Sequence, residues 1–460
     1  MHSHDEALAR TVLDHVEQRL RLDPAPLGRL GDAAELEAAL KGALGDGPTA
    51  PDDVLRLFTD HIEPTVVSCD SPGFLSFIPG APTKAAALFD MVLSASSLHG
   101  VSWLEASGAV AAENQVLRLL ADLAGMPGGA GGCFVSGGSA GNLSGLLVAR
   151  DTARTAEGSP VERPRIAVSD QAHSSIGSTL RIMGVEALVV PTDDHRLTGD
   201  AVRAALAADG DPESVVAVVG TAGTTNAGII DDLAGIADAA RDHGLWFHVD
   251  AAYGGGALFS PRLRERFAGI EHADSLVIDP HKWLFTPFDC GAILYRNPAL
   301  ARAVHTQDAS YLDCIHTDAP QEWNPSDYAY HLTRRPRGLP LWFSLAVHGT
   351  EAYREAVEAG RRLAEESAEL IRATDGLELL RDPELSVVLL RRTGWGPADY
   401  DAWSRRLLER QIAFVVPTVW EGETVARFAF LHPDLGLDTV RTILADMVGD
   451  MTADMVADAG

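Results

Sequence analysis

The residues most able to do chemistry lie at the ends of short apolar runs. In Val277-Ile278-Asp279-Pro280-His281-Lys282-Trp283, a lysine follows a strand-like run and a polar turn. An amine so placed can form an imine with an aldehyde if its surroundings partly deprotonate it. The ordinary alternative is a lysine that snorkels to solvent. Trp246-Phe247-His248-Val249-Asp250-Ala251-Ala252-Tyr253 reads as a strand ending in an acid. Open α/β sheets bind ligands at the carboxyl ends of their strands. A buried carboxylate there needs a cation, and a protonated pyridine nitrogen is one; helix capping is the competing use of Asp250.

Three further turns extend the pattern. Val135-Ser136-Gly137-Gly138-Ser139-Ala140-Gly141-Asn142 is glycine-rich and opens a helix. Its free N–H groups, the helix dipole and the Ser139 hydroxyl would together bind an anion. It matches neither GxGxxG nor the P-loop, which argues against a nucleotide. Ser169-Asp170-Gln171-Ala172-His173-Ser174-Ser175 again passes from strand to helix. His173 can stack on a flat aromatic ligand and reach a substrate carboxylate, or serve as a core or capping histidine. Gly220-Thr221-Ala222-Gly223-Thr224-Thr225-Asn226 offers small hydroxyl residues that approach a ligand closely, or simply a turn.

The elements that must position these residues follow from hydrophobic periodicity. From Asp5 to Leu57, helical spacing between Pro/Gly breaks predicts several short helices. From Phe74 onward, short β-rich runs alternate with amphipathic helices. The runs Arg165–Ser169, Ala187–Pro191, Ser214–Gly220, Leu245–Ala251, Ser275–Asp279 and Gly291–Arg296 are continuously apolar, so both their faces should be covered. With helices predicted at Ser139–Arg150, Thr198–Ala208 and Asp232–His243, this is an α/β fold with a mainly parallel sheet. After about Thr350 a long helix, strands at Leu385–Leu390, Ile412–Val416 and Arg427–Leu431, a helix near Tyr400–Arg410 and a last helix predict a small α+β domain. The expected division is an N-terminal helical arm over 1–72, a large α/β domain over 73–350 and a small domain over 351–460.

Composition narrows the function. A chain of 460 residues, 46% hydrophobic, can bury a large core, and its net charge of −28 opposes binding to nucleic acid or to an anionic membrane. The cysteines Cys69, Cys133, Cys290 and Cys314 show no zinc spacing, so no metal is expected and reduced thiols fit a cytoplasmic protein. The start MHSHDEALAR lacks a signal peptide's basic and apolar regions.

Taken in order, the segments Ser169–Ser175, His248–Tyr253 and Asp279–Trp283 resemble the group II decarboxylases that use pyridoxal 5′-phosphate (PLP), and the likeness runs from about Pro72 to Leu431. The resemblance implies fold type I, that of the aspartate aminotransferases, with a mainly parallel seven-stranded sheet, and a homodimer. It makes Lys282 the Schiff-base lysine, Asp250 the partner of the pyridine nitrogen and His173 the residue stacked on the ring. Ala252 would pack on the opposite face, Gly138, Ser139 and His281 would hold the phosphate, and Thr225 would support the cofactor near Asp250. The implied reaction is decarboxylation of an L-amino acid to the amine and CO2 through a quinonoid.

Phe77, Ile78 and Pro79 occupy the substrate-side region, and His99 and Val101 fall where the aromatic decarboxylases carry bulky apolar residues. Phe77 and Ile78 stand where those enzymes commonly have Tyr and Phe. A hydrophobic or aromatic substrate is favoured, a smaller or polar-tailed one next. The family's loop tyrosine should precede Arg334-Arg335; counting back without gaps reaches Asn324-Pro325, which leaves Tyr328 and Tyr330 as candidate proton donors, with surface loop aromatics the alternative reading. A decarboxylating aldehyde synthase, then an aminotransferase or lyase, are the other enzymatic readings, and a PLP-binding scaffold is the non-enzymatic one.

Overall fold

The computed structural model describes residues 2–310 and 322–457, with side chains to residue 449. Part of the segment that precedes Arg334-Arg335, residues 311–321 with Cys314, therefore lies outside the described residues. The chain forms two compact units. One comprises Met1–Phe77, Glu365–Asp382 and Val388–Gly460, the other Ile78–Ala364 and Pro383–Val387.

Three short helices open the first unit: α1 (Glu6–Leu20), α2 (Ala33–Leu40) and α3 (Pro51–Leu57). Each starts on a recognisable signal. The Asp5 carboxylate accepts from Leu8 N–H, that of Asp32 from the amides of Ala34 and Glu35, and Pro51 begins α3.

The second unit begins with α4 (Lys84–Ala95) and α5 (Trp103–Leu123), followed by the alternation that the apolar runs predict. It runs β1 (Gly131–Val135), α6 (Gly138–Thr152), β2 (Arg165–Ser169), α7 (Ser174–Met183), β3 (Glu186–Val190), α8 (Gly199–Ala208), β4 (Val215–Thr221), α9 (Leu233–His243) and β5 (Trp246–Asp250). Then come α10 (Pro261–Arg264), β6 (Ser275–Ile278), β7 (Gly291–Tyr295) and α11 (Pro298–His305). The seven strands form one sheet in the order β1-β7-β6-β5-β4-β2-β3. Pairing is parallel from β6 to β3, and β7 runs antiparallel to both of its neighbours. All seven residues of β4 are buried, as a strand covered on both faces must be, and each large apolar side chain so buried contributes about 1.5–3 kcal/mol.

β1 escaped the reading of apolar runs because Gly131 and Gly132 dilute its pattern. The glycines are there for closeness: a Cβ on Gly132 would sit 1.8 Å from the Ile293 carbonyl oxygen of β7. The long helix α12 (Leu339–Arg372) starts earlier than Thr350 and is broken at Gly349, whose φ of 75° no helix accommodates.

The small sheet has the order β10-β11-β9-β8, from β8 (Leu377–Leu379), β9 (Val387–Arg392), β10 (Thr418–Trp420) and β11 (Glu423–Ala429). Two helices, α13 (Pro397–Glu409) and α14 (Leu437–Ala457), complete the chain. The strand expected at Ile412–Val416 does not form. Phe414 makes a single parallel bridge to Phe74, and Val416 N–H donates to the Ser76 hydroxyl, so these backbone groups are satisfied by the stretch 73–76. Among the described residues no helix is long and apolar enough to cross a membrane.

Candidate active site

Ladder register sets the site. Thr221, the last residue of β4, pairs with Asp250 at the end of β5, and Asp250 pairs with Val277 of β6. Three strand ends are thereby brought level at the carboxyl edge of the sheet. The turn after β6 is held tightly, with Asp279 N–H donating to the Ala252 carbonyl (3.1 Å) and Lys282 N–H to the Asp279 carbonyl (2.9 Å).

A cavity of about 490 Å³ opens over this edge. Its lining includes Gly138, Ser139, His173, Thr225, Asp250, Ala252, His281 and Lys282, so all eight residues expected to hold a cofactor meet in one place. Lys282 Nζ lies 3.1 Å from Asp279 Oδ2, which also stands 3.8 Å from His281 Nε2. Asp279 is buried, and its Oδ1 has no hydrogen-bond partner among the described residues. Burial lowers the pKa of His281, against the pull of the Asp279 charge.

Helix α6 supplies the anion end of the cavity. Gly137 caps it without a side chain, so among the described residues no N-cap side chain takes up the N–H groups of its first turn. A Cβ on Gly138 would come within 3.0 Å of Asp279 Oδ2 and 3.2 Å of the Ala252 methyl, leaving no room for a larger residue. At the opposite end, Asp250 accepts from Ala252 N–H (3.1 Å) and from the Asn142 amide (2.9 Å). His173 is the N-cap of α7, its Nδ1 accepting from Ser175 N–H at 3.2 Å. The capping use weighed for this histidine is therefore real, and it leaves Nε2 to carry the proton.

Residues expected on the substrate side are more scattered, and none of them lines the cavity. Ile78 and Pro79 lead into Gly80, whose N–H donates to the His281 carbonyl and whose Cβ would overlap the Lys282 carbonyl oxygen at 1.7 Å. That backbone lies directly against the lysine turn. Phe77, in the other unit, is exposed. His99 is exposed and bonded to Glu105 (3.0 Å), whereas Val101 is buried and its carbonyl accepts from Ser326 N–H.

The loop tyrosines do not reach the cavity. Tyr328 is buried, its ring stacked on Trp323 at 4.1 Å, and its carbonyl accepts from the Tyr295 hydroxyl. Burial pushes its phenol well above the usual tyrosine range, which ill suits a proton donor. Tyr330 is half exposed and edge-on to His331. A buried cation decides this geometry. Arg334 bonds the Gly100 carbonyl (2.6 Å) and Glu113 (2.7 Å), and Glu113 also accepts from Gly338 N–H (2.8 Å).

Sequence reasoning assigned no role to Asn142, Ser175, His248 or Asp279, all of which stand in or behind the lining. The available signals were spacing: Asn142 lies one turn beyond Gly138 on the same helix face, and His248 shares the face of Asp250 two residues away.

Residues 35–392 match the profile described as the pyridoxal-dependent decarboxylase conserved domain. The chain is 30% identical over 434 residues to an aromatic-L-amino-acid decarboxylase from Bacillus atrophaeus, an alignment that spans 92% of this chain and 89% of that protein. It is 34% identical over 376 residues to an L-2,4-diaminobutyrate decarboxylase from Rhizobium meliloti, spanning 78% and 74%. The solved structure of Oryza sativa TDC with PLP and tryptamine superposes with a TM-score of 0.88 at 25% identity, covering 97% of this chain and 98% of that one.

Proposed function

Because the chain belongs to the pyridoxal-dependent decarboxylase family, a group of PLP-dependent carboxy-lyases, we propose that it converts an L-amino acid with an aromatic or hydrophobic side chain to the amine and CO2. The observation that carries the reading of the site is convergence: eight residues picked from five separate turns line one cavity. The aromatic preference is supported by the Bacillus atrophaeus relative, whose alignment spans 92% of this chain and 89% of that protein. A second reading, a 2,4-diamino acid, is favoured by the relative with the higher identity.

PLP fits the residues present. The first turn of α6, with Ser139 and His281, would hold its phosphate, and the buried, half-satisfied Asp279 keeps the Lys282 ammonium at the cavity wall until the aldehyde arrives. Once bound, the cofactor supplies an electron sink for the pair left on Cα when CO2 departs. Asp250 would face the ring nitrogen and hold a proton on it, His173 would lie against the ring, and Ala252 would close the other face. Lys282 would bind the cofactor covalently at rest and release it to the incoming amine.

Small residues at Gly138 and Ala252, and Gly80 packed behind the Lys282 turn, leave little room for water beside a bound substrate, which would keep its reacting carbon dry. A homodimer belongs to the same proposal. In the first unit, an apolar groove of about 800 Å³ runs past Leu20, Leu22, Phe58 and Val66, and a second copy would cover it. Incubating the purified, PLP-loaded chain with aromatic amino acids, 2,4-diaminobutyrate and glutamate decides the substrate. Amine, aldehyde, ammonia and peroxide are measured together. A tryptophan- or tyrosine-derived amine as main product supports the first reading, 1,3-diaminopropane the second, and aldehyde with equal peroxide an aldehyde synthase.

A further inference from the structure

We propose that Asn142 is a positioning residue: it orients both Asp250 and His173 through a one-way hydrogen-bond chain that begins at Trp246. The inference rests on the proposal that these two side chains face the cofactor ring.

The direction of the chain is set at both ends. Trp246 Nε1–H can only donate, and it does so to Ser275 Oγ at 2.8 Å. At the other end Asn142 gives its amide protons away, so its Oδ1 accepts from His248 Nε2–H, and the neutral ring's Nδ1 is left to accept the Ser275 hydroxyl proton at 2.7 Å. The His248 ring then carries its proton on Nε2 and donates to Asn142 Oδ1 at 2.9 Å. The Asn142 amide has two protons to give. One goes to Asp250 Oδ2 at 2.9 Å, the other to Ser175 Oγ at 3.1 Å. Ser175 passes its hydroxyl proton to His173 Nδ1 at 2.9 Å, which leaves the His173 proton on Nε2.

Turning the Asn142 amide over would set its carbonyl oxygen against the Asp250 carboxylate, two acceptors face to face. The arrangement seen is the one in which every donor meets an acceptor. In a dry interior each bond polarises the next, so donor strength accumulates toward Asp250.

The chain is dry. Asn142, His248 and Ser275 have no exposed surface. Helix α6 lies close enough to seal them: a Cβ on Gly145 would fall 3.0 Å from the His248 ring, and one on Gly141 would fall 2.8 Å from Val277. Burial pushes His248 down to about 4, against the pull of the Asp250 charge, so the ring stays neutral as the chain requires.

The test uses the full-length protein, cofactor-free and PLP-loaded. In the cofactor-free, nitrogen-15-labelled chain, His248, assigned through His248→Gln, should show a protonated Nε2, a bare Nδ1 and no titration from about pH 5.5 to 8.5. A protonated Nδ1, or a midpoint in that range, overturns the proposal. In Asn142→Leu, PLP affinity and kcat should each fall about ten- to a hundredfold, the bound cofactor's absorbance should shift, and KM should move less than about threefold. Ser275→Ala should act in the same direction by several-fold, and it decides the matter together with the histidine spectra if Asn142→Leu does not fold.

Lower thermal stability with unchanged PLP affinity and absorbance would mark Asn142 as merely structural and overturn the proposal. Asp250→Ala separates the two levels. If it leaves PLP binding and absorbance intact, the placement of Asp250 against the ring is wrong. If it disturbs both while Asn142→Leu disturbs neither, the hub alone fails.

Discussion

The carboxyl edge of the seven-stranded sheet and the stretch 322–338 hold their polar residues by different means. At the sheet edge, parallel ladders place Thr221, Asp250 and Val277 side by side, and each side chain leaves a backbone position fixed by several neighbours. In the stretch 322–338 the anchors are separate side-chain contacts: the buried ion-pair clamp Arg334–Glu113 with the Gly100 contacts, the Asn324 side chain accepting from Trp103 N–H, and the Tyr328 carbonyl accepting from the Tyr295 hydroxyl. The two tyrosines beside that clamp go one to the core and one to solvent. The difference predicts opposite phenotypes. A substitution at the sheet edge should remove chemistry and leave the fold, whereas a substitution at the clamp should loosen the fold and leave the cofactor site.

The largest effect is expected at Lys282. In Lys282→Ala, turnover should fall by about a thousandfold or more, borohydride should no longer fix PLP to the chain by mass, and the unfolding midpoint should hardly move. Near wild-type turnover would break the sheet-edge side of the comparison.

Next comes the clamp. Arg334→Met leaves Glu113 buried without its cation and should cost about 3–5 kcal/mol in urea unfolding, while the folded fraction keeps its PLP absorbance. Adding Glu113→Gln, which still accepts from Gly338, should restore part of that loss. Lost cofactor absorbance with unchanged stability would reverse the assignment.

His331 gives a smaller, pH-dependent effect. Burial, aided by the nearby charges of Arg334 and Arg337, pushes it down to about 4 from a reference of 6.5. Its folded pKa is depressed, so between these values the unfolded chain binds the extra proton, and the contribution to stability is lost as pH falls from 6.5 toward 4. The slope is about 1.4 kcal/mol per pH unit. The stability of wild type relative to His331→Gln should be constant above this window and fall as pH drops through it; an unchanged gap across the window would contradict the sign.

The smallest effects belong to Tyr328→Phe and Tyr330→Phe, each expected to change amine yield by less than about twofold, because neither ring lines the cavity. Tyr311, outside the described residues, supplies the informative companion. An amine-to-aldehyde ratio that moves in Tyr311→Phe and holds in the other two would locate the proton donor.

Much of this division was legible in the chain itself. Continuous apolar runs with glycine-rich or acidic ends mark β4, β5 and β6 because strands covered on both faces have no polar alternation to disguise them. The same logic misses β1, whose glycines serve close approach to β7, and it overreads Ile412–Val416, whose backbone bonds go to residues 73–76. Counting back from Arg334-Arg335 reached Asn324-Pro325 and left Tyr328 and Tyr330 only as nearby candidates, and proximity in sequence to a loop says nothing about which way a ring turns. Trp323 and the core against β1 and β7 decided that for Tyr328.

By itself, then, the sequence determined the α/β plan and which residue types stand at the strand ends, since periodicity and local turn chemistry act over a few residues. Tertiary structure alone decided that Asn142, Ser175, His173, His248 and Asp250 form one network. Their partners lie as far as 108 positions apart along the chain, and only the parallel register and the close seating of α6 bring donor and acceptor to hydrogen-bond distance. A hydrogen bond depends on distance and direction, and neither is written in residue order.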